Sequence, residues 1–388
     1  DIAFQYLKAE IFLHSIGFHC IITLSEKRVK RHETETKKHM DDYKREFYKK
    51  LPEDMDFDLQ QQWKKYFLRK DAILVGMALL IFLAVQNILG VIAAIPALIS
   101  VGQLTDQLIQ TFVYVLSMGI PFFILFFVSK RDKSELISAE MPKPHTFWPV
   151  ILMGIGFIPI LQIAAGYFDQ LLSLIKLDTY QPLLDAAFTP VTDTGALIVQ
   201  FICTSLLAAI FEEFAFRGVI LQILRRYGNI FAIVTSALMF GLIHGNTYQI
   251  PFAFLFGLVL GAAAVYTGSL WTPVLLHLLN NTIAFGLNIV AERFGDQIGD
   301  VATYIAWGVF FILGAVAAIY VVVTAKQSAE WKNERQPYEL AGKKKGYGIF
   351  FKAPTIIISI VLIALTAFFM TTLVQDWVNS IVPYAGLL

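Results

Sequence analysis

GALIVQFICTSLLAAIFEEFAFRGVILQIL, residues 195–224, is an unbroken apolar run that carries only three full charges, Glu212, Glu213 and Arg217. A helix needs about 20 mainly apolar residues to cross a bilayer, so this run is long enough to span. An ionised side chain near the bilayer centre costs about 2.5–3.5 kcal/mol on insertion scales, and such groups face a bundle interior where they serve a function. Three within six residues therefore mark both a membrane helix and a site.

Outward from that run, the composition agrees. The chain has 388 residues, 56% hydrophobic and 16% charged, with 33 Phe and a mean hydropathy of +0.62. Globular soluble chains are less apolar and more charged. Further long apolar runs lie at Ala72 to Val101, Ile109 to Val128, Phe147 to Ile175, Val301 to Thr324 and Ala353 to Val374. Three shorter or more polar ones fall at Ile230 to His244, Ile250 to Thr267 and Thr272 to Val290. The expectation is an all-α polytopic transmembrane helical bundle of about eight to nine spans. It divides into a charged helical juxtamembrane region (1–70), N-terminal transmembrane helices (71–194), a transmembrane core that carries the buried charges (195–291) and C-terminal transmembrane helices with a basic loop (292–388).

Loop charge supplies an orientation. Lys64, Lys65, Arg69 and Lys70 precede the first run, Lys130, Arg131, Lys133 and Lys143 follow the second, and Arg225 with Arg226 follows residues 195–224. Lys326 to Lys352 adds seven more basic residues on the same side, while the alternate loops hold almost none. By the positive-inside rule the N-terminus is cytoplasmic, and the expected setting is a bacterial cell membrane. The patch Ile11 to Leu24 is too short to span and lacks the flanks of a signal peptide, which suits an interfacial or packed helix. His14, His19, His32 and His39 are irregularly spaced, which argues against a metal site. Two cysteines, Cys20 and Cys203, make no disulfide framework or cysteine zinc site. A net charge of +1 gives no field for nucleic acid, and Lys343 to Lys345 fits orientation or anionic lipid better.

Chemistry follows from helical spacing. Residues i and i+4 share a face, so Glu213 sits over Arg217 as an ion pair and Glu212 points roughly 100° away. Glu213 and Arg217 are a structural clamp in this reading, and Glu212 is the reagent. A carboxylate in apolar surroundings holds a proton more readily than one in water, which suits it to act as a general base. Two more polar outcrops follow, Phe240-Gly-Leu-Ile-His244 and His277-Leu-Leu-Asn-Asn281, with His277 and Asn281 again on one face. Imidazole and amide groups position water and hold oxyanions. Phe240 is expected to pack beside His244, and Gly218 to permit a close helix approach. Together these residues make a hydrolase inventory.

Glu212-Glu213-x-x-x-Arg217, Phe240-x-x-x-His244 and His277-x-x-x-Asn281, in that order, resemble the three-motif signature of the CAAX protease and bacteriocin-processing family of intramembrane endopeptidases, also called the Abi family. The resemblance covers roughly residues 195–290, where the chain is similar to the type II CAAX prenyl endopeptidases. It implies a protease with its site sunk in the bilayer. Glu212 and His244 would activate water, His277 and Asn281 would stabilise the oxyanion, and Glu213, Arg217 and Phe240 would support them. The substrate would be a membrane-associated, prenylated or leader peptide.

No cofactor is expected, although Glu212, His244 and His277 could hold a divalent metal such as zinc with an open fourth position. His-Glu-x-x-His, Gly-x-Ser-Gly and Gly-x-Gly-Asp, the marks of other intramembrane protease classes, are absent from the chain. Two readings of other classes stay open. One is an ion-coupled transporter, although the polar groups are confined to neighbouring runs and show no repeat symmetry. The other is a non-catalytic scaffold or immunity protein.

Overall fold

The computed structural model describes residues 55–99, 102–129, 131–138, 140–174, 191–246, 249–325 and 343–367. The N-terminal region 1–54 with its four His, most of the 177–194 loop, the basic stretch 326–342 and the end of the last run lie outside the described residues.

Every described element is a helix: α1 (Phe57–Ile99), α2 (Gln103–Val128), α3 (Lys133–Leu136) and α4 (Pro144–Ser173). Next come α5 (Thr194–Arg225), α6 (Asn229–Ile243), α7 (Gln249–Thr267), α8 (Trp271–Phe294), α9 (Asp296–Ala325) and α10 (Lys343–Phe351). The last described helix is α11 (Pro354–Ala367).

Seven of them, α1, α2, α4, α5, α7, α8 and α9, are long and apolar enough to cross a membrane. The expected bundle of spanning helices is therefore present, with one correction to the count. At 15 residues, α6 rises roughly 22 Å, short of the roughly 30 Å hydrocarbon core. The run Ile230 to His244 is a buried apolar helix and not a full span.

Local chemistry sets the boundaries. Asp56 Oδ1 accepts from the backbone N–H groups of Asp58 (2.9 Å) and Leu59 (3.2 Å), capping α1. No Pro or Gly stands between Asp56 and Lys70, so α1 runs unbroken through the basic cluster Lys64 to Lys70 at the end of the expected juxtamembrane region. Asp193 caps α5 through Ala196 N–H at 2.7 Å. Gly245 (φ 65°) and Gly268 (φ 67°) adopt the left-handed backbone that ends α6 and α7.

Helix α4 packs along α9, α6 along α7 and α1 along α2, while α8 touches α4, α7 and α9. The α4–α9 crossing is set by two glycines: a Cβ on Gly156 would stand 2.4 Å from Gly314 Cα. Gly218 has no such role, because a Cβ there would come no closer than 3.6 Å to Leu270. Gly257 and Gly241 are the close approaches of the core, with added Cβ atoms at 3.1 Å from Ala237 and 3.0 Å from the Ile250 carbonyl.

Helix α5 has two halves. Its first presents Ile198, Ile202, Leu206 and Ile210 to the outside, whereas Ala215 to Ile220 are fully buried. The charged residues of α5 sit where the exposed half gives way to the buried one.

Candidate functional site

Glu212 and Glu213 close a single α-helical turn (Ala208–Glu213) between two π-helical stretches, Ile202–Leu207 and Phe214–Ile220. Such i→i+5 turns are rare and gather at functional sites. The wider turns leave backbone carbonyls for side chains to use. Ser236 Oγ of α6 donates to Phe216 O at 3.0 Å, and Gln222 Nε2 to Arg217 O at 3.2 Å.

The ion pair read from the spacing is present. Arg217 Nη1 donates to Glu213 Oε1 at 2.8 Å with both side chains fully buried. Arg217 Nη2 also donates to the Gly257 carbonyl of α7 at 3.2 Å. Its guanidinium lies 4.3 Å from the centroid of the Phe240 ring, a cation–π contact that a desolvated site strengthens. One arginine thus joins α5, α6 and α7.

Glu213 does more than balance Arg217. The same Oε1 accepts from His277 Nδ1 of α8 at 2.8 Å. The bond assigns the proton to Nδ1 and turns Nε2 toward Glu212, 3.9 Å from its Oε2. Edge-to-face contacts from Phe240 and Phe256, each with centroids at 5.8 Å, hold the imidazole plane. Carboxylate, imidazole and second carboxylate stand in a row inside an apolar bundle, with His277 4% and Glu212 9% exposed.

Glu212 has a further partner that the sequence reading missed. Tyr114 OH of α2 donates to Glu212 Oε1 at 2.8 Å. No spacing rule links positions 98 residues apart, and a Tyr in an apolar run reads as an interfacial or lipid-facing group.

His244 is half-buried at the end of α6. Its Nδ1 donates to Phe240 O at 2.9 Å, which leaves Nε2 as the nitrogen able to meet a substrate or water. Its ring packs edge-to-face on Phe240 at 5.1 Å. That ring also touches His277 and Arg217, so Phe240 is the hub between them, as expected of a packing partner.

Asn281 lies on the α5–α8 seam, where its amide donates to Thr204 O at 2.9 Å and its Oδ1 accepts from Asn280 Nδ2 at 2.9 Å. Phe201 and Phe285 continue the seam at 5.4 Å. Glu212, Glu213, Arg217, His277 and Tyr114 therefore form one connected network, with His244 joined through Phe240 and Asn281 beside it along the seam.

Among the described residues no three His, Cys, Asp or Glu side chains are grouped to hold a metal ion.

Residues 194–283 match the family model described as Rce1-like, type II CAAX prenyl endopeptidase. The matched stretch runs from α5 into α8 and contains all three motifs, so it supports the resemblance seen in the sequence. It leaves out most of the chain, including Tyr114. No curated protein and no solved structure matches the chain.

Proposed function

We propose that this chain is an intramembrane endopeptidase that hydrolyses a peptide bond of a membrane-associated peptide, with Glu212 as the general base. The observation that carries the reading is the pair of atoms Glu212 Oε2 and His277 Nε2, 3.9 Å apart in a buried, apolar setting. That spacing exceeds a direct hydrogen bond and suits a water bonded to both.

In this reading Glu212 takes a proton from the water as its oxygen attacks the scissile carbonyl carbon, with His244 helping to position it. The new C–O bond forms while the carbonyl electron pair moves to oxygen. Asn281 meets that oxyanion, a contribution of about 10²–10³ in rate for a well-placed donor, and His277 shares that role in the step where its Nε2 also carries a proton. Glu212 then returns the proton to the amide nitrogen as the C–N bond breaks. Glu213 and Arg217 act indirectly by fixing the His277 ring.

Prenylated C-terminal peptides and leader peptides both fit the membrane setting. The loop charges support a cytoplasmic N-terminal side.

The test is cleavage of a lipidated peptide library by purified protein in bilayers, with and without rigorous chelation, against Glu212→Gln. Cleavage that survives chelation and disappears in the variant supports the reading. Activity lost on chelation and restored by zinc would favour a metal held by Glu212, His244 and His277. A biological activity untouched by Glu212→Gln would point to a scaffold.

A further inference from the structure

We infer that Tyr114 is a positioning residue of the hydrolytic site, one that selects which oxygen of Glu212 acts as the base. The inference rests on the protease reading above and extends it to α2, a helix outside the matched segment.

Glu212 has two oxygens in different surroundings. Oε1 accepts the Tyr114 hydroxyl at 2.8 Å, and Oε2 faces His277 Nε2 at 3.9 Å. A phenol is a neutral donor at physiological pH, so its hydrogen bond goes to a carboxylate oxygen and makes that oxygen the poorer proton acceptor. The proton from water is then directed to Oε2, on the side of His277.

The same bond stops the carboxylate from turning about its terminal torsion, which is otherwise soft and nearly two-fold. It also ties α2 to α5 at the level of the reaction. The neighbouring contacts reinforce this: Phe122 packs on Phe216 at 5.5 Å, and Phe123 on Phe214 at 4.7 Å. With α2 held against α5 by these rings, the phenol oxygen is aimed rather than loosely placed.

Tyr114 touches the base and not the peptide, so its loss should show in kcat and leave KM alone. Tyr114→Phe removes one oxygen and keeps the ring. Thr111→Val is the control: it removes a hydroxyl one turn earlier on α2, which donates to Gln107 O of its own helix and bonds the Cys203 thiol of α5 rather than Glu212.

The experiment measures kcat, KM and the thermal midpoint of wild type, Tyr114→Phe, Thr111→Val and Glu212→Gln in the same bilayers. The expected result is a fall in kcat on the order of tenfold for Tyr114→Phe, with KM unchanged and Thr111→Val like wild type. Unchanged kcat in Tyr114→Phe, or a change confined to KM, overturns the inference while loss of cleavage in Glu212→Gln leaves the protease reading intact. Cleavage retained in Glu212→Gln overturns both. Should Tyr114→Phe fail to fold, 3-fluorotyrosine at 114 keeps the ring and strengthens the donor. A kcat that shifts in either direction at constant KM then supports the inference, and an unchanged kcat or a change confined to KM overturns it.

Discussion

Two clusters of buried charge can be set side by side. In the first, Glu213 and Arg217 pair within α5. In the second, Asp71 of α1 meets Arg226, at the end of α5, at 2.8 Å and Arg131 at 3.7 Å, with Tyr227 OH donating to the same Asp71 oxygen at 2.8 Å. Both set an arginine against aromatic rings, Arg217 on Phe240 at 4.3 Å and Arg226 on Tyr227 at 4.9 Å. Both lie almost wholly out of contact with the surroundings. They differ in their neighbours. The first has an imidazole hydrogen-bonded to its acid and a second carboxylate facing that imidazole, whereas the second joins its acid to two arginines and a phenol. Burial of charge alone therefore does not mark chemistry. In the proposed reading the difference is an imidazole, His277, held between the two acids Glu213 and Glu212.

The comparison can be broken most directly at Glu212. Glu212→Gln keeps the shape and removes the base, and cleavage is expected to fall by roughly a thousandfold with the thermal midpoint near wild type, since general-base catalysis contributes about 10²–10⁴. Cleavage at wild-type rates in the variant would remove the distinction between the clusters.

Removing the acid of each ion pair separates stability from activity. Glu213→Leu and Asp71→Leu each leave a buried arginine without its carboxylate, and each is expected to cost about 3–5 kcal/mol in detergent unfolding titrations. The protein that remains folded should retain its kcat in Asp71→Leu and lose it in Glu213→Leu, where the His277 ring is released. Equal kcat losses would make the two clusters equivalent.

Asn281→Ala sharpens the edge of the first cluster. It should lower kcat by about a hundredfold, the usual size for one oxyanion donor. Little change in the unfolding midpoint is expected, because Asn281 is only half-buried on the α5–α8 seam.

The smallest effect is expected from replacing the whole second cluster. Asp71→Leu combined with Arg226→Met, Arg131→Met and Tyr227→Phe should bring stability back to within about 1 kcal/mol of wild type, since apolar substitutes for all the partners of a buried ion cluster are often neutral or better. Activity measured in the same preparation should be unaltered.

Much of the first cluster could be read along the chain, because a helix imposes its own geometry. Glu213 over Arg217 follows from a separation of four, as does the placing of His277 and Asn281 on one face. What could not be read is what one helix does to another. Spacing gave Glu213 a single partner, and only the crossing of α5 and α8 brings His277 to the same oxygen. Tyr114 lacked any sequence mark, because a phenol in an apolar run looks the same whether it meets lipid or a carboxylate. Arg226 beside Arg225 has the look of an orientation signal along the chain, yet it is 5% exposed and bonded to Asp71, a residue 155 positions away. The spanning helices were legible from apolar length. The short α6 was not, because its apolar run ends in His244 and resumes almost at once in α7.

That shortness bears on how the proposed hydrolysis would obtain its water. At roughly 22 Å, α6 is several ångströms shorter than the roughly 30 Å hydrocarbon core, and the chain turns at Gly245 directly after His244. Polar backbone at that depth is stable only where protein or solvent satisfies it. Asn246 meets part of the need by donating to His244 O at 3.0 Å and accepting from Gln249 N at 2.7 Å. The imidazole of His244, with its Nε2 open, thus stands beside a polar turn, the setting through which water would reach the proposed reaction.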